Sequence, residues 1–283
     1  MDMPSVCWRR RGNLDVTSSA CRKRGDRGRQ EFSAAGYRVL CSEQEETEGR
    51  QGLYGVGLAV KDSICRKSVC THQLIDEQLM SMRFETGECA VVNLVVAYAP
   101  TDANPNAELK EVFWKNLGHL VKHKQFPTKE LLFVLINANT RTGKRMEGCD
   151  DGRVLGAYGR DELNNNGKRL LPFASDNKLA LTNTFFSARK GGVSHTCNGI
   201  NSRNDRKRIE YVLTRQAHRS RVYDVKVHPQ PPSPAKMDSD HNIVYAMSAS
   251  AVVLRPTDAY VQKNKPSLST GRSFDLTEIA DSE

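Results

Sequence analysis

The sequence predicts an α+β domain built as a layered sandwich. Segments with strand character outnumber helical ones along the 283 residues. Two of them, residues 90–99 (AVVNLVVAYA) and 130–136 (ELLFVLI), are almost wholly apolar and rich in branched side chains, which suits strands buried on both faces. The helical periods punctuate the strands instead of alternating with them, so a doubly wound parallel sheet is the poorer fit. No internal repeat is present.

Residues 1–31 are basic (WRRRGN, CRKRGDRGRQE) and lack a hydrophobic period, so they are expected to form a degenerate segment without a strand. From Phe32 the pattern changes. AAGYRVL and GVGLAV read as short strands flanking an acidic, glycine-bounded loop, SEQEETEGRQG. Residues 82–85 and 90–99 are two further strands. Asn104-Pro105 marks a helix start with proline at the first helical position, and apolar residues recur at Leu109, Val112, Phe113, Leu117, Leu120 and Val121. The strand 130–136 stops at Asn137-Ala138-Asn139. A loop rich in glycine and charge covers 140–165, and Leu170, Leu171, Phe173 and Ala174 mark a second helix. Residues 180–186, 208–213 and 221–227 read as strands. Prolines between 229 and 234 break the chain, and Asp238-Ser239-Asp240-His241 precedes a last strand at 243–247. Residues 251–283 are polar and patternless, as expected of a disordered tail. The folded domain is thus expected at 32–250.

Apolar residues make up 38% of the chain, below the roughly 45–50% usual in globular proteins. Lys and Arg number 42 against 33 Asp and Glu, a net charge of +9, which favours polyanionic partners. Basic clusters lie from Arg203 to Arg208 and from Arg215 to Arg221. No apolar run approaches the roughly 20 residues of a membrane span, and no membrane partner is expected. Cysteines stand at 7, 21, 41, 65, 70, 89, 149 and 197 without any CxxC pair. That usage suits reduced thiols in a nuclear or cytoplasmic protein, with no disulfide-linked partner.

Polar residues sit repeatedly on or just after the strands: Tyr98, Asn137, Asn139, Asn183, Glu210, Asp240 and His241. Singly, each has an ordinary explanation, since asparagines form turns and a tyrosine often closes a strand at the core's rim. Together they fall into an ordered series. Tyr98-Ala-Pro-Thr, Leu135-Ile-Asn-Ala-Asn139, Asn164-Asn-Asn-Gly-Lys-Arg-Leu-Leu171, Leu181-Thr-Asn-Thr-Phe185, Arg208-Ile-Glu-Tyr211 and Ser239-Asp-His241 follow one another. This series resembles the endonuclease/exonuclease/phosphatase superfamily, and more narrowly the endonuclease domains of non-LTR retrotransposons and craniofacial development protein 2-like sequences.

The resemblance implies a four-layered α/β/β/α sandwich of the DNase I-like type and Mg²⁺-dependent hydrolysis of DNA phosphodiesters. It implies a carboxylate at position 137 to activate water, Asn139 to orient water or phosphate, and His241 to bind phosphate and support transition-state charge. Position 210 orients the imidazole, Tyr98 donates to the phosphate, Asp240 lies on the metal side, and Asn183 and Arg208 contact substrate. Three departures stand out. Asn137 replaces an aspartate and cannot take a proton, and a general base is worth roughly 10²–10⁴ in rate. Glu210 replaces an aspartate and is one methylene longer. The family's opening strand, with its Asn and the metal-binding Glu after it, has no recognisable counterpart in residues 1–31, so an incomplete N-terminal part with an exposed sheet edge is expected. Two readings follow: a retrotransposon-derived DNA endonuclease domain with impaired catalysis, or an inactive remnant that binds nucleic acid.

Overall fold

A computed structural model of the chain describes residues 6–10, 14–19, 29–43 (apart from 35), 55–86 (apart from 67), 91–122, 126–145, 152–198 (apart from 161 and 189–191), 206–229 and 241–248. Most of the acidic loop near residue 50 and the tail 251–283 lie outside these.

Among the described residues, thirteen strands form two sheets. The first has seven, β1 (Val6–Arg10), β2 (Leu14–Ser19), β3 (Arg29–Ala34), β4 (Tyr37–Glu43), β5 (Gly55–Lys61), β12 (Val222–His228) and β13 (Ile243–Ser248), in the order β12-β13-β1-β2-β5-β4-β3. The second has six, β6 (Ser68–Leu74), β7 (Leu79–Thr86), β8 (Val91–Tyr98), β9 (Leu131–Asn137), β10 (Leu179–Leu181) and β11 (Glu210–Arg215), in the order β10-β11-β9-β8-β7-β6. The helices are α1 (Asp62–Cys65), α2 (Ala107–Val121) and α3 (Gly167–Asp176). None of the described helices is long and apolar enough to cross a membrane.

The near-continuous apolar runs behave as their composition requires. Side chains alternate along a strand, so a strand between two packed layers must be apolar on both faces. In β8, Val92, Leu94 and Val96 enter the core between the sheets, while Val95 and Ala97 enter a second core under α2 and α3. In β9, Leu131, Phe133 and Leu135 take the first side and Leu132, Val134 and Ile136 the second. The α+β sandwich is therefore the observed fold. Both longer helices cover the second sheet, and the described residues contain no third helix of comparable length to supply the expected fourth layer.

Three expectations need correction, and one further strand was not anticipated. The sheet has no gap at its N-terminal part: β1 pairs in parallel with β13 and antiparallel with β2, which pairs with β5. Val6 and Trp8, then Leu14 and Val16, have the period-two spacing of strands, but in runs of five and six residues among arginines and turn formers it is too brief to stand out. The helix begins two residues later than Asn104-Pro105. Asn104 Oδ1 accepts from Asn106 N (2.9 Å), and Asn106 is the true cap, accepting from Leu109 N (3.1 Å). The strand expected at 180–186 ends at Leu181 and becomes a 3₁₀ turn, because the hydroxyls of Thr182 and Thr184 donate to Val212 O and Leu181 O. Finally β6, a polar and largely exposed edge strand, gave no periodic signal.

One buried polar tie holds the far end of the second sheet. Glu130, just before β9, accepts from Arg83 of β7 and from Asn93 Nδ2 of β8 (2.9 Å). Burial pushes its carboxyl up, but the Arg83 and Asn93 hydrogen bonds and the nearby cations outweigh that and hold it below its ordinary value. A depressed folded pKa contributes stability above the unfolded pKa and loses it as pH falls through the folded one. Melting temperature followed from neutral pH into acid should fall more steeply for the native chain than for Glu130→Gln. Identical acid slopes would show that the tie contributes nothing.

Candidate functional site

Strands β8 and β9 finish, and antiparallel β11 begins, at one end of the second sheet. Their register sets Tyr98 opposite Asn137, and Asn137 opposite Glu210. These three share the parity of Val96, Leu135 and Val212, so they face the first sheet. From that sheet comes His241, two residues before β13, and its Nδ1 meets Glu210 Oε1. The Glu210–His241 contact therefore bridges the two sheets at their common mouth. Glu210 is 0% exposed, and its Oε2 is buried without a hydrogen-bond partner.

The segment that carries His241 is held by more than the Glu210 contact. Cys197 forms backbone bridges with His241 on one side and Lys207 on the other. Asn242 N donates to Thr196 O (2.7 Å), Asn242 Nδ2 donates to His195 O (3.1 Å), and Asn198 Nδ2 donates to Asn242 Oδ1 (3.2 Å). Thr196 Oγ1 accepts from the backbone N–H groups of Ile209 (2.9 Å) and Glu210 (3.2 Å). One short strip thus fixes the segments carrying both members of the pair.

Past β9, Asn139 adopts a left-handed backbone (φ 47°), a region asparagine tolerates better than most residues. Its N–H donates to Asn137 Oδ1 (3.0 Å) and its Nδ2 to Ala99 O (2.7 Å). Asn166, the cap of α3, donates to Pro100 O (2.9 Å) and Asn139 O (3.2 Å), while its own N–H donates to Asp102 Oδ1 (3.0 Å). Gly167 follows, and a Cβ there would strike Arg141 O, so the helix meets this loop at backbone contact.

Tyr98, Asn137, Asn139, Glu210 and His241 are therefore gathered as the sequence suggested. Asn183 and Arg208 stand behind them. Asn183 donates to Glu210 O (3.2 Å) and accepts from Val212 N (2.8 Å), extending the ladder of β11 where β10 has ended. Arg208 is 3% exposed and donates to Ser194 O and Tyr158 O (both 2.9 Å), clasping two loops. Asp240 lies outside the described residues. The cluster from Arg215 to Arg221 is no uniform basic face, since Arg215 is buried against Phe126 O and Arg219 lies over the Phe185 ring at 4.8 Å.

Thr196, Asn198 and Asn242 went unnoticed in the sequence because they lie in short irregular segments without periodicity. Asn166 had a signal, the run Asn164-Asn165-Asn166, which pointed to a turn and not to a role.

Mg²⁺ demands a near-octahedral oxygen shell and keeps several waters. Glu210 Oε2 is a bare oxygen, but it is enclosed, and its sister oxygen is occupied by His241. No three His, Cys, Asp or Glu side chains converge among the described residues. The described donors do not fit the expected ion.

No protein-family model matches the chain. Craniofacial development protein 2 from Bos taurus is 30% identical over 202 residues, covering 70% of this chain and 31% of its own length; that from Tragulus javanicus is 29% identical, with 32% of its length covered. The chain thus spans about a third of the curated relatives it matches. The fold is similar to the 3'-5' exonuclease NExo from Neisseria meningitidis (TM-score 0.51, 15% identity, 76% of this chain and 80% of that one). It is equally similar to the AP endonuclease LMAP from Leishmania major (TM-score 0.51, 12% identity, 74% and 69%). At such identities these likenesses establish architecture alone. The chain has the DNase I-like layered fold of these solved structures, and its sequence resembles craniofacial development protein 2.

Proposed function

We propose that this chain is a DNA-binding nuclease domain of retrotransposon descent whose hydrolytic step is impaired. The observation that carries the reading is the row Tyr98, Asn137, Glu210, closed by His241 from the other sheet. A buried carboxylate beside an imidazole fixes the orientation of the ring through one nitrogen, which suits His241 to a phosphate at the mouth of the two sheets. Asn137, next in the row, offers an amide where the relatives suggested by the six motifs have a carboxylate. Binding is retained, and the proton acceptor is lost.

The descent rests on the motif order and on the likeness to craniofacial development protein 2. DNA as the ligand is supported by the net charge of +9 and by the nuclease architecture. The test is duplex-DNA binding across a salt series, run beside plasmid nicking in Mg²⁺ with an EDTA control. Affinity should fall steeply from low to physiological salt, because each neutralised phosphate releases counterions. His241→Ala should weaken binding, and the native chain should nick slowly. Salt-independent binding, or none at low salt, removes the reading.

A further inference from the structure

We infer that Asn137 frees this site from a divalent cation, so that it takes a DNA phosphate as effectively without metal as with it. The inference rests on the DNA-binding reading above and concerns how that binding is controlled.

The argument is one of local charge. A phosphodiester seated against His241 lies beside the end of β9. A carboxylate at position 137 would put a second negative charge beside it, in a partly dehydrated mouth where Coulomb repulsion is weakly screened. A bound cation is the usual remedy for such a crowd of anions. Among the described residues of this row the crowd is reduced to Glu210, whose carboxylate is tied to His241. Position 137 is a neutral amide, Asn139 beside it is another, and the two are joined through Oδ1 of the first and N–H of the second (3.0 Å).

Among the described residues, two carboxylates belong to the surrounding hydrogen-bond network, and each has one oxygen engaged. Glu210 is enclosed against His241, and Asp102 accepts from Asn166 N (3.0 Å). On the opposite flank, the backbone of Lys207 pairs with Cys197, whose other edge meets His241. The described donors also fail to form a cation shell. Both findings point the same way: the feature that makes Mg²⁺ hard to hold makes it unnecessary for holding the anion. An amide adds what a carboxylate lacks, two N–H donors for a phosphate oxygen.

The probe is a short fluorescent DNA duplex, titrated at matched ionic strength with Mg²⁺ or with EDTA. The native chain should bind equally well in both, within about twofold, or tighter in EDTA, since Mg²⁺ competes for the phosphates. Asn137→Asp should bind about tenfold more weakly than the native chain in EDTA and recover in Mg²⁺. Asn137→Ala, which carries no charge, should keep binding insensitive to EDTA. Should Asn137→Asp fail to fold, the native chain compared in Mg²⁺ and in EDTA still decides the inference, since that comparison needs no variant.

Native binding that is about tenfold tighter in Mg²⁺ overturns the inference and leaves the DNA-binding reading intact. An aspartate variant whose affinity in EDTA equals the native value also overturns it. Absence of salt-sensitive binding in either buffer instead defeats the reading on which it rests.

Discussion

Asn137→Asp should raise plasmid nicking in Mg²⁺ by about 10²-fold or more, the scale a positioned general base supplies. The exchange is nearly isosteric, and a carboxylate can accept the Asn139 N–H as the amide oxygen does, so the end of β9 should keep its shape. The register places the new carboxylate directly across from Glu210. Like charges at a cross-strand pair raise proton affinity, which moves an aspartate toward the range where it serves as a base near neutral pH. It would also add a second carboxylate oxygen donor beside Glu210, and His241→Ala in the same background should abolish the gain. If Asn137→Asp nicks no faster than the native chain, the missing base is not the limiting defect, and attention passes to the cation donors.

The second large effect concerns stability. Leu117→Ala should cost about 2–5 kcal/mol, whereas Leu109→Ala on the same helix should stay within about 0.5 kcal/mol. Leu117 is fully buried in the core beneath α2, among Phe113, Leu120 and Val121, and its loss leaves a cavity that two packed layers cannot easily close. Leu109 is 50% exposed and Val112 is 47% exposed. Set against a total of about 5–15 kcal/mol for a domain, the first change removes a large fraction and the second almost none. Thermal melting checks both. Equal losses would mean that α2 docks by a different face.

The helix illustrates where the sequence informed and where it misled. Its apolar positions were visible, but two of them face water, while Lys110 is buried and donates to Asp102 O (2.8 Å). A lysine can lay its stem along apolar surface and reach a carbonyl with its tip, and residue type does not reveal that. Strands β8 and β9 were evident because burial on both faces demands unbroken apolar sequence. β1, β2 and β6 were not, because strand pairing is made by backbone groups and leaves no mark on polar side chains. At the site, the ordered motifs disclosed Tyr98, Asn137, Asn139, Glu210 and His241. They could not disclose that Asn183 and Arg208 turn inward to backbone carbonyls, or that Asn242 and Thr196 hold the imidazole's segment. Those roles depend on which loops meet, and sequence spacing carries no such information.

The pairing of β1 with β13 has a consequence for how the protein comes to be made. Val6 lies opposite Val244, and Arg10 opposite Ser248. During synthesis the earliest of these strands must wait, with one edge open, until nearly everything between has left the ribosome. Contacts this distant along the chain are slow to form, because the closure of so long a loop precedes any gain from them. The second sheet, whose strands all fall between residues 68 and 215, can assemble first and serve as the platform. His241, carried just ahead of β13, reaches Glu210 only when the seven-stranded sheet is sewn shut. A nascent chain stalled before His241 is therefore expected to hold a structured second sheet and no Glu210–His241 pair.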